Sequence, residues 1–180
     1  VIPIAGDQVT NDIAMALRTP TREAEDIKRK YGCALAHLAD PEDVLDVAGV
    51  DDRPSRKLSR RALADVIQPR VEELYELIQA ELRRSGFEDV LSSGIVLTGG
   101  ASVMPGMIEL GEEIFHMPVR LGVPKYQGAL ADVVQSPRFA TACGLLLEAH
   151  TQRKRGLKVR ETRDVKQVFG RMKSWFEKNF

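Results

Sequence analysis

The chain has 180 residues, of which 43% are hydrophobic and 29% charged. That mix excludes wholesale disorder and fibrous repeats, and the length suits one ordinary domain or two small subdomains. Net charge is zero, yet residues 1–150 carry 16 Lys+Arg against 23 Asp+Glu, whereas residues 151–180 carry 10 against 3. A basic tail on an acidic body points to a separate anionic partner for the tail, either a membrane surface or nucleic acid. No stretch approaches the ~20 apolar residues of a spanning helix, and no apolar signal-peptide core stands near the start. Cys33 and Cys143 lie far apart, so no disulfide framework is expected and a reducing cytosol fits.

In chain order, Val1-Ile2-Pro3-Ile4 reads as the end of a strand and Ala5-Gly6-Asp7 as a turn. Thr10 or Asn11 can cap a short helix through Leu17, with Ile13, Ala14 and Leu17 at helical spacing. Thr19-Pro20-Thr21 breaks it, and Thr21 caps a second helix that shows Ala24, Ile27 and Tyr31 on one face. Gly32 stands where a helix-ending glycine belongs. Residues 33–57 alternate short apolar runs (Cys33–Leu38, Val44–Val50) with polar turns, which predicts a small sheet.

The longest helix is expected from Ser59 to Arg84. Leu63, Val66, Ile67, Val71, Leu74, Leu77, Ile78 and Leu82 form its apolar stripe, Pro69 should kink it and Gly86 ends it. Gly94-Ile95-Val96-Leu97-Thr98 suits a strand buried on both faces. Gly99-Gly100 follow, then a helix from Met104 to Phe115, a strand at Val119–Leu121 and a core helix from Phe139 to Ala149. Strand, glycine turn, helix and strand make α/β logic. Met104, Met107 and Met117 read as core, and residues 151–164 as a basic linker.

Three constellations could carry function. Two glycines after a strand let backbone approach a flat or anionic ligand closely, since no Cβ intervenes; the same residues would also serve a plain tight turn. Neither a P-loop nor a dinucleotide fingerprint is present. Glu25 and Lys28, three apart on one helix face, are either a surface ion pair or a ribose-accepting carboxylate with a lysine stem over a purine. Arg53, Arg56, Lys57, Arg60 and Arg61 crowd a helix start, where cations are disfavoured by the dipole. They form a solvated charged face or are held for an acidic partner. The three histidines show no metal-ligand spacing, and neither cysteine sits in a nucleophile's context.

A fourth constellation is the tail. Val165, Val168, Phe169, Met172, Trp175, Phe176 and Phe180 fall on one helical stripe, with Lys166, Arg171, Lys173 and Lys178 flanking or opposing it. Bulky apolar groups on a basic helix suit the membrane interface. A core or partner-packing helix is the plainer reading. A nucleic-acid reading leaves the stripe unexplained.

Taken in order, these pieces resemble the second half of the actin-like ATPase superfamily. They resemble the bacterial cell-division FtsA family more closely still. The residues that carry the resemblance are Val1-Ile2-Pro3 with Ala5-Gly6, Thr10-x-Asp12-Ile13-Ala14, Lys28-x-x-Tyr31-Gly32-Cys33-Ala34, Arg53-Pro54-x-Arg56, Ile67-x-Pro69-Arg70, Gly94 through Ala101, and Trp175-Phe176. Asp51-Asp52 depart from it, standing where a glycine-containing turn is expected.

The resemblance implies an α/β fold: the second half of an actin-like (ribonuclease H-like) fold with a small α+β subdomain inserted, plus a C-terminal amphipathic helix. Residues 1–20 and 91–150 would form the large subdomain, 21–90 the small FtsZ-binding subdomain, 151–164 the linker and 165–180 the membrane-targeting helix. It implies an ATP site (with Mg in the full-length protein) using Gly6 at a phosphate hairpin, Glu25 and Lys28 near ribose and base, and Gly99, Gly100 and Ala101 under the adenosine. The family's first phosphate loop and metal-associated Asp residues would precede Val1. Nucleotide binding by these residues alone should therefore be weak, with no hydrolysis.

The same resemblance implies that Arg56, Arg61 and Arg70 meet the C-terminal peptide of FtsZ, a tubulin-like filament protein. Val168, Phe169, Met172, Lys173, Trp175, Phe176 and Phe180 would meet anionic lipids at the cytoplasmic face of the inner membrane, at the division site. Self-association into actin-like polymers and contacts with other division proteins are implied too, and nucleic acid is not. The alternatives are an actin-fold kinase or chaperone ATPase, or a pilus-associated actin relative without FtsZ contact.

Overall fold

The computed structural model describes residues 2–47, 54–125 and 131–155. The chain divides into two compact units, Val1–Thr141 and Ala142–Phe180.

The first unit opens without a strand. Residues 2–5 are irregular, and α1 (Gly6–Leu17) starts four residues before the expected cap at Thr10. Ala5 holds the N-cap position with no side-chain cap, so nothing on the side chains satisfies the first amides of α1. Thr10 instead lies inside the helix and is buried, beside Val9, Ile13 and Leu17. The helix ends on Arg18 in the left-handed region.

Next is α2 (Thr21–Tyr31), whose N-cap is Pro20; Thr21 is its first helical residue rather than its cap. Gly32 closes it with φ −55°, so left-handed freedom is not what the glycine supplies. Crowding is the reason: a Cβ there would sit 2.4 Å from the Lys28 carbonyl oxygen and 2.9 Å from Met104 Sδ.

Cys33–Leu38 does not form a strand, since Ala36–Leu38 is a single 3-10 turn. The small sheet is the antiparallel pair β1 (Val44–Val47) and β2 (Arg56–Ser59), in register Val44 to Ser59. Leu45 and Val47 point into the core. The expected continuation over residues 48–50 and the Asp51-Asp52 departure lie outside the described residues.

Helix α3 (Arg60–Ser85) matches expectation at both ends. The Ser59 hydroxyl accepts from the Ala62 amide, and Gly86 takes φ 71° at the C-cap. Leu63, Ile67 and Val71 of the stripe are buried, while Leu77 is exposed and Tyr75 takes the core position further along. The Tyr75 hydroxyl donates to the Met107 carbonyl oxygen at 2.9 Å, and its ring tilts against Phe115 with centroids 5.1 Å apart. Burial pushes the Tyr75 phenol well above its ordinary range.

The strand β3 (Ile95–Leu97) pairs in parallel with β4 (Val119–Leu121), Ile95 opposite Val119. Between them run a 3-10 turn at Ala101–Val103 and α4 (Met107–Phe115). Strand residues alternate faces: Ile95 and Leu97 pack on the core, whereas Val96 is 47% exposed. Burial on both faces is therefore not observed for β3, because no described element covers its second face. A short α5 (Ala131–Val134) follows.

One core joins α1, α2, the small sheet, α3, α4 and β4. Met107 is buried in it, and Met104 and Met117 pack against it. Helix α3 is its spine, contacting α1 on one side and α4 on the other. The last helix, α6 (Ala140–Lys154), carries most of the described part of the second unit. It runs into the expected linker and buries none of its residues, so it is not a core helix here; Leu145, Leu146 and Leu147 are exposed. The rest of the linker and the tail helix lie outside the described residues. No described helix is long and apolar enough to cross a membrane.

Candidate functional site

Three segments distant in sequence converge on one cleft of about 980 Å³, within the usual range for small-molecule sites. The first turn of α1 contributes Ala5, Gly6 and Asp7. The exposed flank of α2 contributes Glu25, Lys28 and Arg29, and the turn after β3 contributes Gly99, Gly100 and Ala101. All six residues expected at a nucleotide line this cleft. Gly6 sits where α1 and the glycine turn meet: a Cβ on it would lie 3.6 Å from both Ala101 Cβ and Lys28 Nζ.

The glycine turn is bare for two different reasons. Gly99 has φ 95°, a conformation that favours glycine. Gly100 has φ −66° and ψ −38°, open to any residue. A Cβ at either position would meet no atom within 4 Å. The turn is anchored from below, since the Gly99 amide donates to the Pro137 carbonyl oxygen at 3.0 Å and the Ser102 hydroxyl to the Gly99 carbonyl oxygen at 2.8 Å.

The helix expected from Met104 to Phe115 begins at Met107, after a 3-10 turn at Ala101–Val103. The helix N-terminus at the cleft belongs to α1. Its uncapped amides and the partial positive charge of the helix end favour an anion there, with the Asp7 carboxylate opposing.

The wall between α1 and α2 is a closed hydrogen-bond cluster. Lys28 Nζ donates to the Gly6 carbonyl oxygen (2.9 Å) and to Thr10 Oγ1 (2.7 Å), and pairs with Glu25 Oε2 (2.5 Å). Three acceptors meet the three donors of the ammonium, and the Lys28 side chain is only 12% exposed. The Glu25–Lys28 pair is thus more than a surface ion pair. With its charge committed, Lys28 has its methylene stem left for a ligand. Partial burial opposes ionisation of Glu25, but the Lys28 ammonium and the Thr10 hydroxyl outweigh it and hold the carboxyl below its ordinary 4.5. Sequence reasoning missed Thr10 as a site residue; its signal was a hydroxyl on the apolar face of α1.

The arginines at the α3 end of the unit separate into distinct roles. Arg61 is exposed. Arg56 Nη2 donates to the Leu17 carbonyl oxygen at 2.5 Å, and Arg60 Nε to the Tyr31 carbonyl oxygen at 3.0 Å. Arg70 forks onto Asp12 of α1, with Nε at 2.5 Å from Oδ2 and Nη2 at 3.0 Å from Oδ1, and also pairs with Glu73. Its guanidinium therefore ties α3 to α1. The membrane residues expected from Val168 to Phe180 lie outside the described residues. Among the described residues, no group of three or more His, Cys, Asp and Glu is placed to hold a metal ion.

The parallel strand pair, the glycine turn at the strand end and the helices packed on it form an α/β unit, and its likeness to solved structures makes it part of an actin-like fold. Two solved structures of MreB5 of Spiroplasma citri, one bound to AMPPNP and one to ADP, match with TM-scores of 0.68 and 0.66 at 18% and 16% identity. The alignments cover 86% and 87% of this chain and 46% and 47% of those chains, a likeness of fold.

The family model of cell division protein FtsA matches residues 1–144. Over its whole length the chain is 54% identical to FtsA of Pseudomonas aeruginosa and 40% identical to FtsA of Escherichia coli K12, in each case over 45% of the relative. The chain belongs to the FtsA family, and it spans less than half the length of these relatives.

Proposed function

We propose that this chain is the nucleotide-facing half of a cell-division adaptor that binds FtsZ and holds it at the membrane. The observation that carries the reading is the convergence of Gly6, Glu25, Lys28 and Gly99 through Ala101 on one cleft. ATP fits what lines that cleft. Uncapped amides of α1 suit phosphate, Glu25 can accept from ribose hydroxyls, and the bare Gly99-Gly100 floor suits a flat base. When bound, ATP would supply a ligand shared with the other half of the full-length protein.

In this reading Arg61, together with Arg56 and Arg70, receives the acidic FtsZ peptide. Residues 165–180 tether the body to anionic lipids at the cytoplasmic face of the inner membrane. Each cation near such a leaflet contributes at most ~1 kcal/mol, and each fully buried large side chain ~1.5–3 kcal/mol, less the ordering of the helix. A single copy then binds reversibly, while copies joined in an actin-like polymer bind firmly through effective concentration. Polymerisation tuned by ATP, rather than a product-forming reaction, sets the strength of attachment.

The test pairs flotation on anionic vesicles with capture of the FtsZ C-terminal peptide. The intact chain should float and a chain cut after Gln167 should not, while both retain the peptide. Equal flotation of the two chains removes the tether from the proposal, and loss of peptide capture on Arg61→Glu alone supports the arginine face.

A further inference from the structure

The Gly6, Glu25 and Lys28 groups that line the cleft come from two helices, and one buried hydroxyl joins them. Thr10 is 4% exposed. Its Oγ1 lies 2.6 Å from Glu25 Oε2, 2.7 Å from Lys28 Nζ and 3.1 Å from the Gly6 carbonyl oxygen. A hydroxyl has one proton to give and lone pairs to receive. The lysine is donor-only, so Thr10 accepts from Lys28. Its own proton goes to the nearer acceptor, the ionised Glu25, because a hydrogen bond to a charged partner is the stronger one.

Two consequences follow for Glu25. The Thr10 hydroxyl and Lys28 both engage Oε2, which fixes the plane of the carboxylate and leaves Oε1 with no hydrogen bond among the described residues. The Glu25 side chain is 40% exposed at the cleft wall, so that second oxygen is the one available to a ligand hydroxyl. Loss of the Thr10 hydroxyl would free a lysine donor and release the carboxylate plane, leaving the Lys28 bond to the Gly6 carbonyl oxygen as the polar link from α2 to α1.

We propose that Thr10 is a positioning residue for the cleft: it orients Glu25 toward a ribose diol and couples the first turn of α1 to α2. The ribose part rests on the nucleotide reading above; the coupling part does not. The experiment uses the full-length protein with Thr10→Val, which keeps the shape, and Thr10→Ser, which keeps the hydroxyl.

Without nucleotide, amide hydrogen exchange should quicken in peptides 6–10 and 25–28 of Thr10→Val. It should stay unchanged in Thr10→Ser and in the α3 and α4 peptides, which report that the fold is intact. Unchanged exchange in Thr10→Val overturns the coupling. With nucleotide, Thr10→Val should bind ATP about tenfold more weakly and lose the preference for ATP over 2′,3′-dideoxy-ATP, with Thr10→Ser restoring both. An equal loss for the two nucleotides, preference intact, reduces Thr10 to a structural role and overturns the orienting claim. Quickened exchange in Thr10→Val, with a wild-type protein that binds neither nucleotide, keeps the coupling and refutes the nucleotide reading itself.

Discussion

Gly100 separates what the fold needs from what a ligand needs. Its backbone sits at φ −66° and ψ −38°, where alanine is at ease, and a Cβ built on it meets no atom within 4 Å. Replacing glycine by alanine at such a position narrows the unfolded ensemble and should stabilise the chain by roughly 0.4–1 kcal/mol. The same methyl would stand on the cleft floor. If a base lies against that floor, pushing it off or straining it costs ~1–3 kcal/mol, a fall in affinity of about five- to 150-fold.

Gly100→Ala should therefore raise the urea midpoint of this chain while weakening ATP binding by the full-length protein, followed by competition against a fluorescent analogue. Gly99→Ala is the contrast. Its φ of 95° makes alanine strained by ~1–3 kcal/mol, so stability and binding fall together. Undiminished ATP affinity in Gly100→Ala would refute the placement of the base over this turn, and a lowered urea midpoint would refute the backbone argument.

Acid should loosen the α1–α2 wall. The Glu25 carboxyl is held below its ordinary 4.5, so the stability it contributes is fully present above about pH 4.5 and is lost as pH falls through its lower folded value. Glu25→Gln should flatten that part of the stability curve, and unfolding curves that stay parallel to wild type below pH 4.5 would exclude it. Arg70→Glu would set a third acid beside Asp12 and Glu73, so thermal unfolding should come earlier along with any loss of FtsZ-peptide capture. Asp12→Asn keeps the Arg70 charge but weakens its anchor; peptide capture lost equally in both variants would mean that Arg70 acts through the position of α3 rather than by contact. Gly32→Ala should lower stability by ~1–3 kcal/mol, because the added carbon meets the Lys28 carbonyl as well as the Met104 side chain; an unchanged urea midpoint would show that this corner yields.

Local spacing carried much of the fold. The stripe Leu63, Ile67 and Val71 has the helical period, Ser59 and Gly86 bring their own capping chemistry, and Val119–Leu121 is a short β-rich run. The two glycines after β3 were legible as an open turn at the strand end, and both line the cleft with no atom within 4 Å of a Cβ at either position.

What escaped was set by tertiary partners. Tyr75 displaces Leu77 from the core because its hydroxyl finds the Met107 carbonyl, a group no window of sequence contains. Arg70 seemed free for a partner until α1 brought Asp12 to it from 58 positions away. Thr10 looked like a cap because hydroxyls favour helix ends, but the amides of α1 begin at Gly6 and its hydroxyl turns to Glu25 and Lys28 instead. Val96 looked buried because an apolar run does not reveal how many faces of a sheet are covered.

These partners give α1 two jobs on one rod. Its first turn lines the cleft, and Asp12, six positions on, holds Arg70 of α3. At 1.5 Å per residue the two points lie about 9 Å apart along the axis, with Thr10 between them fastened to α2. A shift of the first turn toward a bound anion cannot be absorbed within so short a helix. It would have to break the Thr10 cluster that fastens α1 to α2, or carry α2 with it. The cluster contains three mutually satisfied polar groups, one of them a lysine almost withdrawn from water. Breaking it would leave buried donors unpaired, which is the more expensive course. Because the same helix buries Val9, Ile13 and Leu17 in the core, α1 is held to α2 and α3 together, and the cleft wall and the Arg70 anchor share one element.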